Sequence, residues 1–467
     1  MKNIITVLFS LISLISLGQI KLTSFPVELK KNAENHQMIN FVDEKSNEIY
    51  TFIADRETVT GIKFNSAVFV SDSLSTSKPF NYQYFIGYSF SAHRTPILHW
   101  ITEDNKKIKS IEYDFSRETK DYSATETIFS EESIVTSFTN NGTFYVLTNN
   151  NKNDLKIYEF GPQNSITTLK SSDLDFTNSK NKKIKISQVL DENPLARMET
   201  DFYNPLMATA EKVKFYIEDA TVIFTFDLNV SITEVVEIDL NLKTISKKDY
   251  PQSKIISDVN QSNSYYLNHK LFQVQSNEKQ LDLTIVDCKS NAILKHYSLS
   301  EKENPFTYSS FLIQSEQFNA ETMGSLKRFL RKIDNSNVAF SIFPINNTYM
   351  ASFGSNKTSA TSGGIALVIG AGLGSILVGG EFVDVSNFAG NRTQSVYLDF
   401  DCDENFNIIK TNNPVLATSI ISGFLDDKSN IKLYQSFRYR DYFVMSCYDK
   451  KAKEIVLYKF QNDFKGY

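Results

Sequence analysis

The chain has 467 residues, of which 41% are hydrophobic and 22% charged, with a formal net charge of −5. Such a composition supports a large buried core and excludes collagen-like, disordered and polybasic nucleic-acid-binding classes. The 36 Phe and 23 Tyr against a single Trp, with only 17 Gly and 10 Pro, favour half-buried pleated surfaces over a helical bundle.

At the N-terminus, Lys2 precedes an apolar run from Ile4 to Leu17, and Ser16 and Gly18 place small residues at −3 and −1 of a cut before Gln19. This is the pattern of a secretory signal peptide over 1–18, shorter than the roughly 20 apolar residues a membrane span needs. The expectation is a secreted or periplasmic protein cleaved after Gly18. In such a compartment an even set of paired cysteines is the simplest framework, yet only Cys288, Cys402 and Cys447 occur. Their wide spacing fits buried small hydrophobes and lacks the close pairs of a zinc site.

Beyond the N-terminus, apolar-alternating runs recur in pairs, the pattern of hairpins with a buried face. Seven pairs are read: Glu48–Asp55 with Val59–Phe64, Ile97–Glu103 with Ile108–Phe115, Thr143–Asn149 with Leu155–Phe160, Val222–Asp227 with Glu234–Leu240, Leu271–Gln275 with Leu281–Cys288, Thr348–Phe353 with Ser395–Cys402, and Tyr442–Cys447 with Glu454–Phe460. Where no insertion intervenes, the repeat is about 45–50 residues, the length of a four-stranded blade. Runs such as Ile166–Lys170 and Ile293–Leu299 follow as fourth strands. The last unit lacks one, and Ile20–Leu29 is the candidate to pair beside Glu454–Phe460 and close a ring.

This pattern resembles the β-propeller superfamily of the seven-bladed type and covers nearly the whole chain after residue 18. It carries no WD repeat, kelch-like double glycine or sialidase box. The expected fold is therefore an all-β, seven-bladed propeller, a single domain over 19–467, closed by the N-terminal strand. Two packed β-domains are the competing architecture. The superfamily hosts binders and enzymes alike and names no activity.

Three long insertions, 171–212, 301–336 and 354–394, lie in d–a or b–c connections when the strands are lettered a to d outward. Alternating strand direction sends all of these to one face, and long loops in a compact fold often carry function. The first insertion holds Arg197, Glu199, Asp201 and Tyr203, a polar cluster proposed for ligand contacts. In the second, Asn319–Ile333 reads as an amphipathic helix with Glu321 near its start and Lys327, Arg328, Arg331 and Lys332 near its end, complementing the helix dipole or docking an anionic partner. The third contains Gly363–Gly380, apolar and uncharged, with small residues four apart at Ala366, Gly370 and Gly374. That spacing allows close helix approach in membranes, so a peripheral membrane contact through 363–380 is one reading and a packed Gly-rich loop the other.

Residues suited to catalysis are sparse. Asp399, Asp401, Asp403 and Asn405 alternate in DFDCDEN, as oxygen ligands for Ca²⁺ would, but Glu404 and Lys410 stand where a calcium loop needs Gly and Glu. A solvated strand face running into a turn is the preferred account of them. His36, His93, His99, His269 and His296 lack metal-site spacing. His93, Arg94, Arg438 and Arg440 fall in corresponding a–b loops; solvated loop charges are the preferred reading and a shared anion site the other. Trp100 reads as core. The functional expectation is a non-catalytic binding propeller acting through its insertion face on a protein, a glycan or a cell-envelope component, without nucleic acid, cofactor or metal. The alternative is a hydrolase or lyase with a site at the central channel.

Overall fold

The computed structural model describes residues 19–462 apart from 31–35, 117–122, 130, 151, 163, 201, 254–255, 316–319, 346, 359–392, 411–414 and 429. Its strands form seven sheets that follow one another along the chain, each with four antiparallel strands at its heart, plus a two-stranded hairpin. This is a seven-bladed β-propeller. Blade 1 comprises Gln37–Asp43, Glu48–Ala54, Thr58–Phe64 and Val70–Ser77 as strands a to d. Blade 2 comprises Tyr84–Phe90, Pro96–Ile101, Lys107–Glu112 and Ala124–Ile128. Blade 3 comprises Glu132–Asn140, Thr143–Asn150, Leu155–Phe160 and Ser165–Leu169. Blade 4 comprises Val213–Glu218, Thr221–Asn229, Ile232–Asp239 and Thr244–Pro251. Blade 5 comprises Gln261–Leu267, Lys270–Asn277, Gln280–Asp287 and Ile293–Ser300. The a, b and c strands of blade 6 are Asn337–Ile345, Thr348–Thr358 and Thr393–Cys402, and those of blade 7 are Ile431–Tyr439, Tyr442–Asp449 and Glu454–Phe460.

The middle strands b and c bury both faces against neighbouring blades, whereas the outer d strands alternate with solvent. Phe52 and Phe64 of blade 1 are fully buried, but the d strand of the same blade, VSDSLSTS, is largely exposed. Covering both faces of a twisted sheet with its neighbours is what permits nearly continuous apolar runs in strands only six to eleven residues long, and radial closure hides their edges. The ring closes as the alternation implied: Gln19–Pro26 pairs antiparallel with strand c of blade 7, from Gln19 opposite Phe460 to Pro26 opposite Glu454, and so supplies its outer strand.

Polar groups on the inner strands tie adjacent blades together. Gln37 donates to the carbonyl of Gln83 and accepts from the Phe85 N–H (2.9 Å), joining blades 1 and 2. Thr139 donates to the Tyr88 carbonyl (2.8 Å) between blades 2 and 3, and Asn140 to the Asp219 carbonyl (2.6 Å) between 3 and 4. The Lys214 ammonium reaches Asn263 Oδ1 (2.6 Å), and the Asn263 amide donates to the Val338 carbonyl (2.8 Å), linking blades 4, 5 and 6. Gln435 Oε1 accepts from the main-chain and side-chain nitrogens of Asn40 (2.7 Å each), linking blades 7 and 1. A buried amide left without such a partner is costly, so the buried bonds of Asn40, Asn263 and Gln435 also select the neighbouring blade.

Two parts of the blade plan differ from the sequence expectation. Blade 6 takes its outer strand from upstream: Leu312–Ser315, inside the second insertion, pairs with Gln394–Tyr397, and only the two residues Ile408–Ile409 follow strand c on that edge. The helix expected over Asn319–Ile333 spans Leu326–Asp334 instead. Glu321 and Thr322 form a short strand beside Leu312 and Ile313, and Ser325 caps the helix by accepting from the Arg328 N–H. The cap hydroxyl, following Gly324, sets the helix start, and hydrogen bonding to Leu312–Ile313 holds the preceding residues extended.

Candidate functional site

All helices among the described residues lie in connections to the b–c and d–a face. They are α1 (Ile186–Glu192) and α2 (Leu206–Thr209) in the first insertion, α3 (Leu326–Asp334) in the second, and α4 (Ala417–Asp426) between blades 6 and 7. α4 was not foreseen, because ATSIISGFLD alternates too little charge to mark a polar side. Its Ala417, Ile421 and Phe424 pack against Met445, Val456 and Phe460 of blade 7.

The first insertion runs from that face to the centre of the ring. Leu195–Arg197 forms a parallel ladder with the inner strand of blade 4, on the side away from strand b, adding a fifth strand at the inner edge. From there the chain crosses toward blades 5, 6 and 7. The Asn204 amide donates to the Tyr265 hydroxyl of blade 5 (2.7 Å), the Tyr203 ring meets Phe343 of blade 6 edge-on at 5.8 Å, and Phe202 lies 5.0 Å from Phe443 of blade 7. Leu206 and Ala210 pack on Ala339 with Tyr397 beside them. Residues 198–200 and 202–210 therefore contribute to the joint between blades 6 and 7, and the protein's own chain lines the blade 4 to blade 7 side of the ring.

Beneath this plug, Lys214 and Asp227, both without side-chain exposure, form an ion pair at 3.0 Å. Asp227 also accepts from Thr233 and from the main chain and hydroxyl of Ser264. Burial holds the Lys214 ammonium below its usual range despite Asp227, and Asn263 ties the pair to the carbonyls of Thr209 and Ala210 at the end of the insertion. Full pairing makes this a structural hub rather than a reactive site.

The blade 6 surface that receives the plug is polar. Register places Ser341, Ser352 and Asp399 in one row across its a, b and c strands, with Tyr397 and Asp401 flanking Asp399 on the same face. The Ser352 hydroxyl donates to Asp399 (2.6 Å). Burial raises the Asp399 carboxyl to about 6, and Asp401 adds to that rise while Ser352 opposes it. Burial, with Asp399 and Tyr397 nearby, keeps the Tyr203 phenol protonated well above its ordinary range. Asp399 is half-buried, so this row is the place among the described residues where a carboxyl poised near neutrality meets hydroxyls and a partly open surface. Its composition lay in the sequence as DFDCDEN; Tyr203 stood among the first insertion's candidates with no link to Asp399, and Ser352, distant in sequence, carried no signal.

The remaining expected residues are placed as follows. Arg197 and Glu199 pair with each other (2.8 Å) within the plug, and Tyr203 is partly buried against blade 6. Lys327, Arg328 and Arg331 are exposed on α3, whose opposite side buries Phe329, Leu330 and Ile333 over blades 5 and 6. Lys332 turns inward to Gln394 (3.0 Å). Gly370 and Gly374, with the whole of 363–380, and Asp201 lie outside the described residues. Asp403 does not join Asp399 and Asp401: it lies past the strand end and accepts from Asn405 and Asn407 in a turn. Among the described residues, no three His, Cys, Asp or Glu side chains are grouped to hold a metal ion, and no helix is long and apolar enough to cross a membrane. Arg94 is bound to Asp43 of blade 1 and lies over Phe90, while Arg440 donates to the Ser66 carbonyl, so the two loops contact blade 1 between them instead of facing a shared anion. Trp100 is fully buried, its indole N–H donating to Tyr113 (3.2 Å). Cys288, Cys402 and Cys447 are buried free thiols.

No family model and no curated protein matches this chain. Among solved structures it is similar to the WD40 domain of SCAP from fission yeast, with 8% identity over 94% of this chain and 91% of that one and a TM-score of 0.31. It is similar to Kluyveromyces lactis Hsv2 (8% identity, 70% of this chain and 95% of that chain, TM-score 0.28). A third is the cobalt-substituted Synechocystis ACO (8% identity, 57% and 61%, TM-score 0.29), of whose length this chain spans about three-fifths. The seven-bladed fold stands on the sheet order of this chain itself.

Proposed function

We propose that the protein is exported, cut before Gln19, and acts as a non-catalytic binding propeller through the face that carries the insertions. The observation that carries this reading is the convergence of α1, α3 and α4 on one face, with Lys327, Arg328 and Arg331 exposed on α3 and without an ion-pair partner among the described residues. Three cations clustered on a single helical turn, with Phe329 and Leu330 anchoring the helix beneath them, suit an anionic partner such as an acidic glycan or envelope component.

The test is co-sedimentation of the exported protein with cell-envelope fragments. Charge reversal by Lys327→Glu, Arg328→Glu and Arg331→Glu is expected to weaken binding about tenfold, or about 1.4 kcal/mol. Unchanged sedimentation of a folded triple variant would overturn the assignment of this face.

A second reading is favoured by Asp399. A half-buried carboxyl titrating near 6 beside Ser352 and Tyr203 fits general acid–base chemistry, which moves the hydrolase or lyase alternative from the channel to the blade 6 surface. Hydrolysis of a panel of glycan and ester substrates by the parent, abolished in Asp399→Asn, would establish it; equal turnover in the two proteins would remove it.

A further inference from the structure

We propose that Gln19 is a modification site: after export its free α-amine closes on its own side-chain amide, so that the ring-sealing strand begins with pyroglutamate. The inference rests on the cleavage reading above and adds to it what the fold requires of that terminus. The cut falls before Gln19, and the first rung of the ladder is Gln19 opposite Phe460, followed by Ile20 opposite Lys459 and Lys21 opposite Tyr458. The closing strand has no spare residues at its N-terminal end. Removal of Gln19, Ile20 and Lys21 by an aminopeptidase would delete the first three rungs of the contact that holds blade 7 closed, and loss of Lys21 would also break its ion pair with Glu454 (3.0 Å). The far end of the strand is held by Val27, whose N–H donates to the Lys453 carbonyl (3.0 Å) and whose carbonyl accepts from Tyr448 (3.2 Å). Erosion therefore threatens the Gln19 end.

Glutamine is the residue able to protect itself there. The neutral α-amine attacks the side-chain carboxamide carbon, a C–N bond closes a five-membered lactam, and the former amide nitrogen leaves as ammonia. No oxidant or co-reactant is consumed. An α-amino group titrates near 7.7–8.0, so a substantial fraction is neutral at physiological pH. The lactam keeps one N–H and the main-chain carbonyl, as a strand end requires, and presents no terminal amine to an aminopeptidase.

The experiment is mass spectrometry of the full chain expressed in an exporting host, on the intact protein and its N-terminal peptide. The expected species begins at residue 19 and is lighter than the free-glutamine form by one ammonia. A species beginning at Gln19 with a free amine overturns the modification while leaving the cleavage reading intact; a chain that retains residues 1–18 overturns both. Gln19→Glu, whose carboxylate is a far poorer acceptor for the amine, is expected to be cut at the same bond and to keep a free terminus. Under a broad aminopeptidase the parent should stay intact while Gln19→Glu is trimmed. Equal trimming of the two would show that the terminus is not protected and would overturn the proposal.

Discussion

His99 bonds through both ring nitrogens to serine hydroxyls, Nε2 with Ser89 (2.9 Å) and Nδ1 with Ser110 (2.8 Å), and stacks on Phe144 with no exposure to water. Burial alone lowers its imidazolium to about 3, so the folded protein keeps it neutral while the unfolded chain takes up a proton below about 6.5. The depressed value means that its stabilising contribution is complete above 6.5 and falls as pH drops toward 3, by about 1.4 kcal/mol per pH unit. Urea unfolding at pH 7 and pH 5 should show this loss in the parent, and the difference between parent and His99→Asn should shrink at the lower pH. The pair Lys214–Asp227 makes the complementary prediction. Lys214→Met leaves a carboxylate in the interior without its cation and should cost about 3–5 kcal/mol, whereas adding Asp227→Asn should recover part of the loss, read from urea midpoints. Neither residue announced its role: a lone histidine and a lysine in a β-run look alike whether buried or exposed, and their partners are contributed by other strands or another blade.

Strands were legible because a pleated sheet repeats every two residues, and each b and c strand carries that alternation within its own six to eleven residues. Gly87 shows the finer constraint that the alternation omits. A Cβ there would lie 2.2 Å from the Phe144 ring of blade 3, so Gly87→Ala should displace that ring and cost about 1–3 kcal/mol, measurable as a lowered unfolding midpoint. Helices were read less well. The apolar positions Leu326, Phe329, Leu330 and Ile333 marked α3, but its start depended on Ser325 and on hydrogen bonds made by residues 321–322 to another strand. Ser325→Ala should destabilise α3 by about 1 kcal/mol, seen as faster amide exchange of its first turn.

In the assembled ring, closure makes the two ends of the chain interdependent. Deleting residues 19–26 would leave Glu454–Phe460 as an open edge with its N–H and C=O groups unpaired, a template for association. The truncated protein should elute as oligomers in size-exclusion chromatography and unfold at a lower temperature than the parent. Number and order of blades and the closing strand were readable from local periodicity and connectivity, because each blade repeats the same antiparallel alternation. The ladder of Leu195–Arg197 on the inner strand of blade 4 with the contacts of residues 202–210 to blades 5–7, the outer strand of blade 6 donated by Leu312–Ser315, and the meeting of Asp399 with Ser352 and Tyr203 were not. Each is a choice among non-local partners made by shape, hydrogen bonding and burial, and a period of two along one strand holds no record of which distant segment will lie against it.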